Sequence, residues 1–249
     1  LRDMPVPQVT TALMPISANK LLLWDAADRI CPSHEDSPAL LAKIQTEAAK
    51  YPGDDFAQTA LARAEIIIGD ETKALDYLLK YTADHPDDAE TRFMLGQTWF
   101  LMTVHGHIRS GETKDSQMAK ARSALGKAYQ LDPLNAAALF YYSMALNDGA
   151  DAPSDNMINA AVAAHNLAPS VDEYAVRAAV LLIRKDRPGD AAEMLYPLAN
   201  NPHDERVSLW ATAIITAIEH KATREELLAL LRKPVESPAV TNDKKPPKE

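Results

Sequence analysis

The residues best suited by type to chemistry are two histidines that flank a glycine, with two carboxylates a few positions later. Imidazole and carboxylate groups are ordinary ligands of zinc and related metals. His105 and His107, however, are two positions apart, whereas paired ligands on one helix face commonly follow the H-x-x-x-H spacing. Gly106 between them indicates a loop. We therefore predict that His105 and His107, with Glu112 and Asp115, belong to a solvated loop and not to a metal site.

Other motifs of catalysis are missing from the sequence. The eight glycines never form the G-x-G-x-x-G or G-x-x-x-x-G-K patterns that bind phosphates, and neither G-x-S-x-G nor H-E-x-x-H occurs. Cys31, the single cysteine, ends a predicted helix, where the helix dipole disfavours a thiolate. The acidic pairs Asp54-Asp55 and Asp87-Asp88 fall at predicted helix starts, and the same dipole explains them. We expect no enzyme activity, no metal and no cofactor.

Composition limits the class of protein. Hydrophobic residues make up 47% and charged residues 24% of the 249 positions, the balance of ordinary globular domains. The net charge of -9 argues against a nucleic-acid interface, which needs a dense basic face. No apolar stretch reaches the roughly 18 residues needed to span a bilayer, so we expect no membrane insertion. Because the sequence starts at Leu1, we interpret it as a mature form or an excised fragment. Its compartment stays open, with the periplasm or secretion favoured over the cytoplasm.

Five prolines recur along the chain at intervals of 34, 47, 36 and 33 residues. Each follows an apolar-periodic run, and an Asp or Asn comes shortly afterwards. Proline ends one helix, and the short acceptor side chain caps the next. Scarce glycine, with abundant Ala and Leu, also favours helix. The pattern predicts an all-α protein built of helix pairs, with boundaries at Pro52, Pro86, Pro133, Pro169 and Pro202.

Small residues recur at fixed positions within these intervals. Ala74 and Ala121 lie twelve residues before a proline, and Ala191 lies eleven before one. Small residues also close four dipeptides in the predicted first helices: Leu61-Ala62, Leu95-Gly96, Tyr142-Ser143 and Ala178-Ala179. The whole pattern resembles the tetratricopeptide repeat, a motif of two antiparallel helices. The resemblance implies an α-α superhelix, or solenoid, of about six hairpins, each stable only when stacked on its neighbours.

The repeat predicts a division of the chain. An extended leader, 1–16, precedes a repeat domain, 17–233, and a flexible tail, 234–249, follows it. One repeat carries about a dozen extra residues, Thr103–Ser116. Such insertions in solenoids map to one face and are often functional, although tolerated drift explains them equally well. The six predicted hairpins span 17–52, 53–86, 87–133, 134–169, 170–202 and 203–233, with helices Ser17–Cys31, Pro38–Lys50, Asp204–His220 and Thr223–Arg232 in the two outer ones.

The resemblance also implies where a ligand binds, namely in a concave groove lined by the first helix of each pair. The clamp of Lys, Asn and Arg that grips a terminal carboxylate in the family is not reproduced, because Phe93, Phe140 and Met144 stand at matching positions. They suit a helix or an extended apolar segment, unless they pack against the array's own helices or the leader. The predicted partner-binding residues are Arg63, Phe93, Gln97, Phe100, Phe140, Met144, Asn147 and Val180. The same predicted faces include Thr59, Ile66, Glu90, Ala137, Glu173, Val176 and Ile183.

The sequence favours a protein-interaction module that holds a protein or peptide in this groove. Two other hypotheses stay open. The run Tyr196-Pro-Leu-Ala-Asn-Asn-Pro-His resembles the carboxyl-terminal repeats of secreted gluzincin-type peptidases, which implies an accessory domain of a larger hydrolase. In the last hypothesis the apolar groove is a self-contact, and the protein is a structural homo-oligomer.

Overall fold

A computed structural model describes residues 37–146, 153–201 and 205–232. Within these ranges the chain forms eleven α-helices and no strand, which confirms the predicted all-α fold class. The leader, the predicted helix Ser17–Cys31, Asn147 and the tail 234–249 lie outside the described residues. No described helix is both long enough and apolar enough to cross a membrane. The helices are α1 (Ser37–Ala48), α2 (Asp55–Ile68), α3 (Glu71–Asp84), α4 (Ala89–His105), α5 (Lys114–Leu131), α6 (Ala136–Ala145), α7 (Asp155–Leu167), α8 (Asp172–Arg184), α9 (Pro188–Ala199), α10 (Glu205–Glu219) and α11 (Arg224–Arg232).

The chain divides into two compact units, unit 1 (Leu1–Asp132) and unit 2 (Pro133–Glu249). In unit 1 each helix packs against the next along the chain, from α1 to α5. The first helices of its two complete hairpins, α2 and α4, also contact each other, as expected for hairpins that stack in a repeat array. Ile44 and Ala48 of α1 join an apolar cluster with Ala60 of α2, which attaches α1 to the stack.

Unit 2 repeats the arrangement with three hairpins, α6–α7, α8–α9 and α10–α11. Consecutive helices pack together throughout, and α8 also contacts α11. A continuous apolar cluster runs through α7 to α11, and its fully buried members include Ile158, Leu182, Leu195 and Ile214. Burial of this cluster is what holds the three hairpins together, because no single hairpin can cover its own apolar face.

Small residues let the two helices of a hairpin approach closely. A Cβ added to Gly96 of α4 would lie 2.5 Å from Cγ and 2.9 Å from the backbone N of Leu125 in α5. Both distances are shorter than a van der Waals contact, so only glycine allows this separation. Ala62, Ser143 and Ala179 stand at the corresponding places in α2, α6 and α8 and are at most 3% exposed.

Side-chain caps begin most of the helices. Asp54, Asp88 and Asn135 each accept a hydrogen bond from the backbone N–H three residues further on, at the starts of α2, α4 and α6. The caps predicted after three of the recurring prolines are thereby confirmed. At α8 the prediction was wrong, because Val171 is the N-cap and makes no side-chain cap bond, while Asp172 lies in the first turn.

Some of the extra residues of the 87–133 repeat, Thr103–Ser116, extend the two helices of its hairpin, and the rest form a short connection between them. α4 continues to His105 and α5 begins at Lys114, so only residues 106–113 are not helical. Gly106 and Gly111 have φ of 81° and 82°, in the left-handed region that favours glycine. This segment is called loop 106–113 below.

Candidate partner-binding surfaces

The predicted groove residues of unit 1 lie on α2 and α4. Nη1 of Arg63 is 3.2 Å from Oε1 of Glu90, an ion pair that links the two first helices. Phe93 and Gln97 are half-buried one turn apart on α4, whereas Phe100 is only 6% exposed and belongs mainly to the core. Arg63, Phe93 and Gln97 are therefore the partly exposed residues of this set.

The predicted groove residues of unit 2 lie on α6 and α8. The ring of Phe140 packs against Tyr174 with centroids 4.8 Å apart, and Tyr141 meets Phe140 edge-on at 5.6 Å. We call Phe140, Tyr141 and Tyr174 the aromatic cluster; all three are half-buried. Met144 and Val180 are half-buried on the same two helices. Three other residues assigned to groove faces by helical spacing are at most 8% exposed and lie in the core: Thr59, Ile66 and Ile183.

Burial shapes the electrostatics of the aromatic cluster. It raises the pKa of Tyr174, and the nearby Tyr141 and Glu173 raise it further. The hydroxyl of Tyr174 therefore stays protonated at physiological pH and can donate a hydrogen bond. The cluster offers ring faces together with a donor, which is the combination that favours Tyr at protein interfaces.

Arg177 lies beside the aromatic cluster on α8, and its role was not visible in the sequence. Its Nη2 donates to the backbone O of Ser143 at 2.9 Å, and its Nε is 3.4 Å from Ser143 Oγ. Burial, with a smaller contribution from Arg184, lowers the pKa of Arg177 to about 10, so it is still charged at neutral pH. The guanidinium thus caps the carboxyl end of α6. Arg224 does the same at Arg184 O, the end of α8.

The two histidines considered as metal ligands have another partner. Nδ1 of His105 and Nδ1 of His107 lie 2.8 and 3.1 Å from the same Oε1 of Glu71, whose side chain is 7% exposed. Glu112 instead contacts Lys120 and Ser116. The described residues contain no group of three His, Cys, Asp or Glu side chains arranged to hold a metal ion. The prediction of a solvated loop was wrong for His105, which ends α4, and for Asp115, which lies in the first turn of α5. The two histidines anchor loop 106–113 to the start of α3.

Burial alone would raise the pKa of Glu71, but the hydrogen bond from His105, a backbone hydrogen bond and the nearby His105 and His107 outweigh it. The net result is a lowered pKa. The carboxylate is therefore ionised at neutral pH and accepts both histidine donors.

Further polar contacts hold loop 106–113. Gln117, fully buried in α5, accepts from Arg109 N at 2.6 Å and donates to His107 O at 3.2 Å. Nη2 of Arg109 lies 2.9 Å from Oδ1 of Asp76 on α3. The loop, α3 and Met102 of α4 line an open cleft of about 520 Å³, whose lining includes Asp70, Leu75, Asp76, Met102, His107, Ile108 and Arg109.

Comparison with known proteins agrees with this architecture. No protein-family model matches the sequence, and no curated protein sequence matches it either. Among solved structures, the fold is similar to that of TTC0263, a thermophilic TPR protein in Thermus thermophilus, with a TM-score of 0.57 and 18% sequence identity. The likeness covers 72% of this chain and 91% of that one. At this identity it establishes the fold: an array of helical hairpins. The close-packed small residues agree with this likeness, and the fold is similar to that of tetratricopeptide-repeat proteins, as predicted.

Proposed function

We propose that the protein is a non-catalytic scaffold that holds a polypeptide on the first-helix face of unit 2, with the aromatic cluster as its main contact. Repeat arrays of this fold commonly present one face to another protein. The observation that carries the proposal is the half-exposed aromatic cluster, which spans two adjacent first helices. Met144 and Val180 extend its apolar surface along α6 and α8.

Two features make the aromatic cluster suitable for a polypeptide. Tyr and Phe rings bury large area at low conformational entropy cost, so a few of them supply much of the affinity of an interface. Arg177 fixes α6 against α8, so the rings are held in place before a partner arrives and less ordering is needed on binding. The α2–α4 face of unit 1, with Arg63, Phe93 and Gln97, is a separate candidate surface.

Affinity capture from the native extract, followed by mass spectrometry, identifies the partner. Phe140→Asp should then weaken binding of that purified partner about tenfold or more, because a carboxylate replaces a ring in an apolar contact. Phe140→Leu keeps the apolar bulk and should bind nearly as the original chain does. Tyr129→Ser replaces an exposed tyrosine on α5 and is the matched control.

Circular dichroism separates lost contact from lost folding. Met144→Lys serves as a second variant in case Phe140→Asp disturbs the folding of unit 2. The long side chain of the introduced lysine can reach solvent, so this substitution should disturb helix packing less. Full binding by both variants with unchanged helicity would move the partner site away from unit 2. Binding of a second copy of the chain would instead support the self-association hypothesis.

A further inference from the structure

We propose that the cleft between α3 and loop 106–113 is a second binding site, which accepts an arginine or lysine of a partner polypeptide together with the apolar residue beside it. The site lies within unit 1 and does not depend on the aromatic cluster. It goes beyond the scaffold role by naming the chemistry of the segment that binds.

The cleft presents two carboxylates to a cation. Asp70 and Asp76 line the α3 side, and Arg109 pairs with Asp76. His107 also lines the cleft, but its Nδ1 contacts Glu71. The Asp70 carboxylate accepts hydrogen bonds from Thr72 and forms no ion pair with the described residues. The hydrogen bonding from Thr72, helped by the nearby Lys73 and His107, lowers the pKa of Asp70, so the carboxylate is ionised at neutral pH.

Arg109 shows how a guanidinium fits the cleft. Its Nη2 lies 2.9 Å from Oδ1 of Asp76, but the side chains of Arg109 and Asp76 are 43% and 77% exposed. Ion pairs this exposed contribute little free energy, since water and salt screen them. An arginine from a partner can therefore take the place of Arg109 at small cost, and Arg109 acts as an internal competitor for the site.

The apolar part of the cleft fits the neighbouring residue of the partner. Leu75 and Met102 form a buried floor, while Ile108 at the rim is 41% exposed. Ile108 is held in this position because Glu71 and Gln117 anchor loop 106–113 on both sides. A partner residue that covers Ile108 removes apolar surface from water without first having to order the loop. A cleft of about 520 Å³ has room for side chains but not for a folded element.

The test uses the full chain labelled with ¹⁵N and three capped tetrapeptides as probes: acetyl-Ala-Leu-Arg-Ala-amide, acetyl-Ala-Leu-Glu-Ala-amide and acetyl-Ala-Ser-Arg-Ala-amide. The Leu-Arg peptide should shift the amide resonances of 70–76 and 106–109. The Leu-Glu peptide should bind about tenfold more weakly, because it replaces attraction by repulsion. The Ser-Arg peptide should fall between the two, since it lacks the apolar contact.

Variants assign the binding to named residues. Arg109→Ala should strengthen binding of the Leu-Arg peptide about threefold by removing the competitor, and Asp70→Asn should weaken it about as much. Asp190→Asn breaks the exposed pair with Arg187 in unit 2 and is the matched control, expected to have no effect. Phe140→Asp should leave binding of this peptide unchanged, which separates the two proposals.

Equal binding of the three peptides, or shifts confined to other residues, would overturn the proposal. So would an Arg109→Ala variant that binds the Leu-Arg peptide more weakly than the original chain, because Arg109 would then belong to the site as a partner and not as a competitor.

Discussion

The two units differ in what they bury. In unit 2 the core is almost purely apolar, and one cluster joins α7 to α11. Unit 1 contains nine of the eleven buried polar or charged residues within the described ranges. Those of unit 1 are Ser37, Thr59, Glu65, Glu71, Thr82, Thr91, Thr98, Thr103 and Gln117, and those of unit 2 are Ser143 and His165.

The difference is one of balance, because apolar clusters and directional bonds occur in both units. In unit 1 a buried carboxylate adds directional bonds to the core. Gln45 Nε2 donates to Glu65 Oε1 at 2.7 Å between α1 and α2, and Glu65 Oε2 accepts from Asp70 N at 2.9 Å at the start of α3. Such bonds fix the geometry. The apolar contacts of unit 2 are not directional. We therefore expect core truncation to affect unit 2 most, and we expect pH to act in unit 1 through Glu71, whose pKa is lowered.

The largest expected effect is that of Leu195→Ala in unit 2. Leu195 is fully buried in the cluster, so its truncation should lower the free energy of unfolding by about 2–5 kcal/mol. Denaturant unfolding followed by circular dichroism measures the loss. Hydrogen exchange should show faster exchange in α8, α9 and α10 with α2 to α5 unchanged.

Leu134→Ala removes the same side chain at a site that is 77% exposed and should change stability little. If exchange in α2 to α5 rises as much as in α9, the two units unfold together, and the contrast between their cores has no separate energetic consequence.

The sequence was sufficient to predict an all-α protein built of helix pairs. Its prolines and the Asp or Asn residues after them act locally, on helix ends, and small residues such as Gly96 act where two helices of one hairpin meet. These signals repeat, so they can be recognised without coordinates. Phe100 shows the limit: the spacing that placed it on the groove face also suits a core residue, and only its 6% exposure decides between them.

The polar contacts could not be predicted in the same way. Glu71 and its histidines are 34 and 36 residues apart, and Arg177 is 34 residues from Ser143. These contacts follow from the stacking of successive hairpins. The residues that make them do not recur at fixed positions of the repeat, so no periodic pattern indicates them. Tyr174 was missed for a related reason, because it lies beside the positions that the repeat assigns to the groove. Helix spacing gives a face but not the partner that covers it.

An intermediate effect is expected for Glu71→Gln in unit 1. At neutral pH the change should cost about 1.5–3 kcal/mol, because two histidine donors lose a buried carboxylate acceptor. The pKa of Glu71 is lowered from its usual 4.5, so its ionised form stabilises the fold above that value. This contribution disappears as the pH falls through the pKa of the folded state, and the two proteins should then converge.

The measurement is denaturant unfolding of both proteins at several pH values from 7 down to 3, with hydrogen exchange of loop 106–113. Glu193→Gln, at an exposed position of α9, is the control and should show no gap at any pH. A stability gap for Glu71→Gln that stays constant below pH 4.5 would show that the side chain acts through its shape and not through its charge.

The smallest effect should come from adding a side-chain cap to α8, which lacks the cap bond that begins α6 and α7 of the same unit. Val171 begins α8 without a side-chain cap bond, and its φ and ψ of -95° and 99° suit a capping residue. Val171→Ser should stabilise unit 2 by about 0.5 kcal/mol, since the gain of a cap is partly offset by the apolar contact of the half-buried valine. The matched change is Ser154→Ala at the start of α7, where Ser154 Oγ accepts from Met157 N at 3.2 Å, and it should cost about 1 kcal/mol.

Hydrogen exchange measures where the new bond forms. Slower exchange of the amides of residues 173 and 174 would locate it at the start of α8. A net loss of stability in Val171→Ser would instead mean that the apolar packing of Val171 outweighs a cap bond at the start of α8, as the apolar core of unit 2 would lead one to expect.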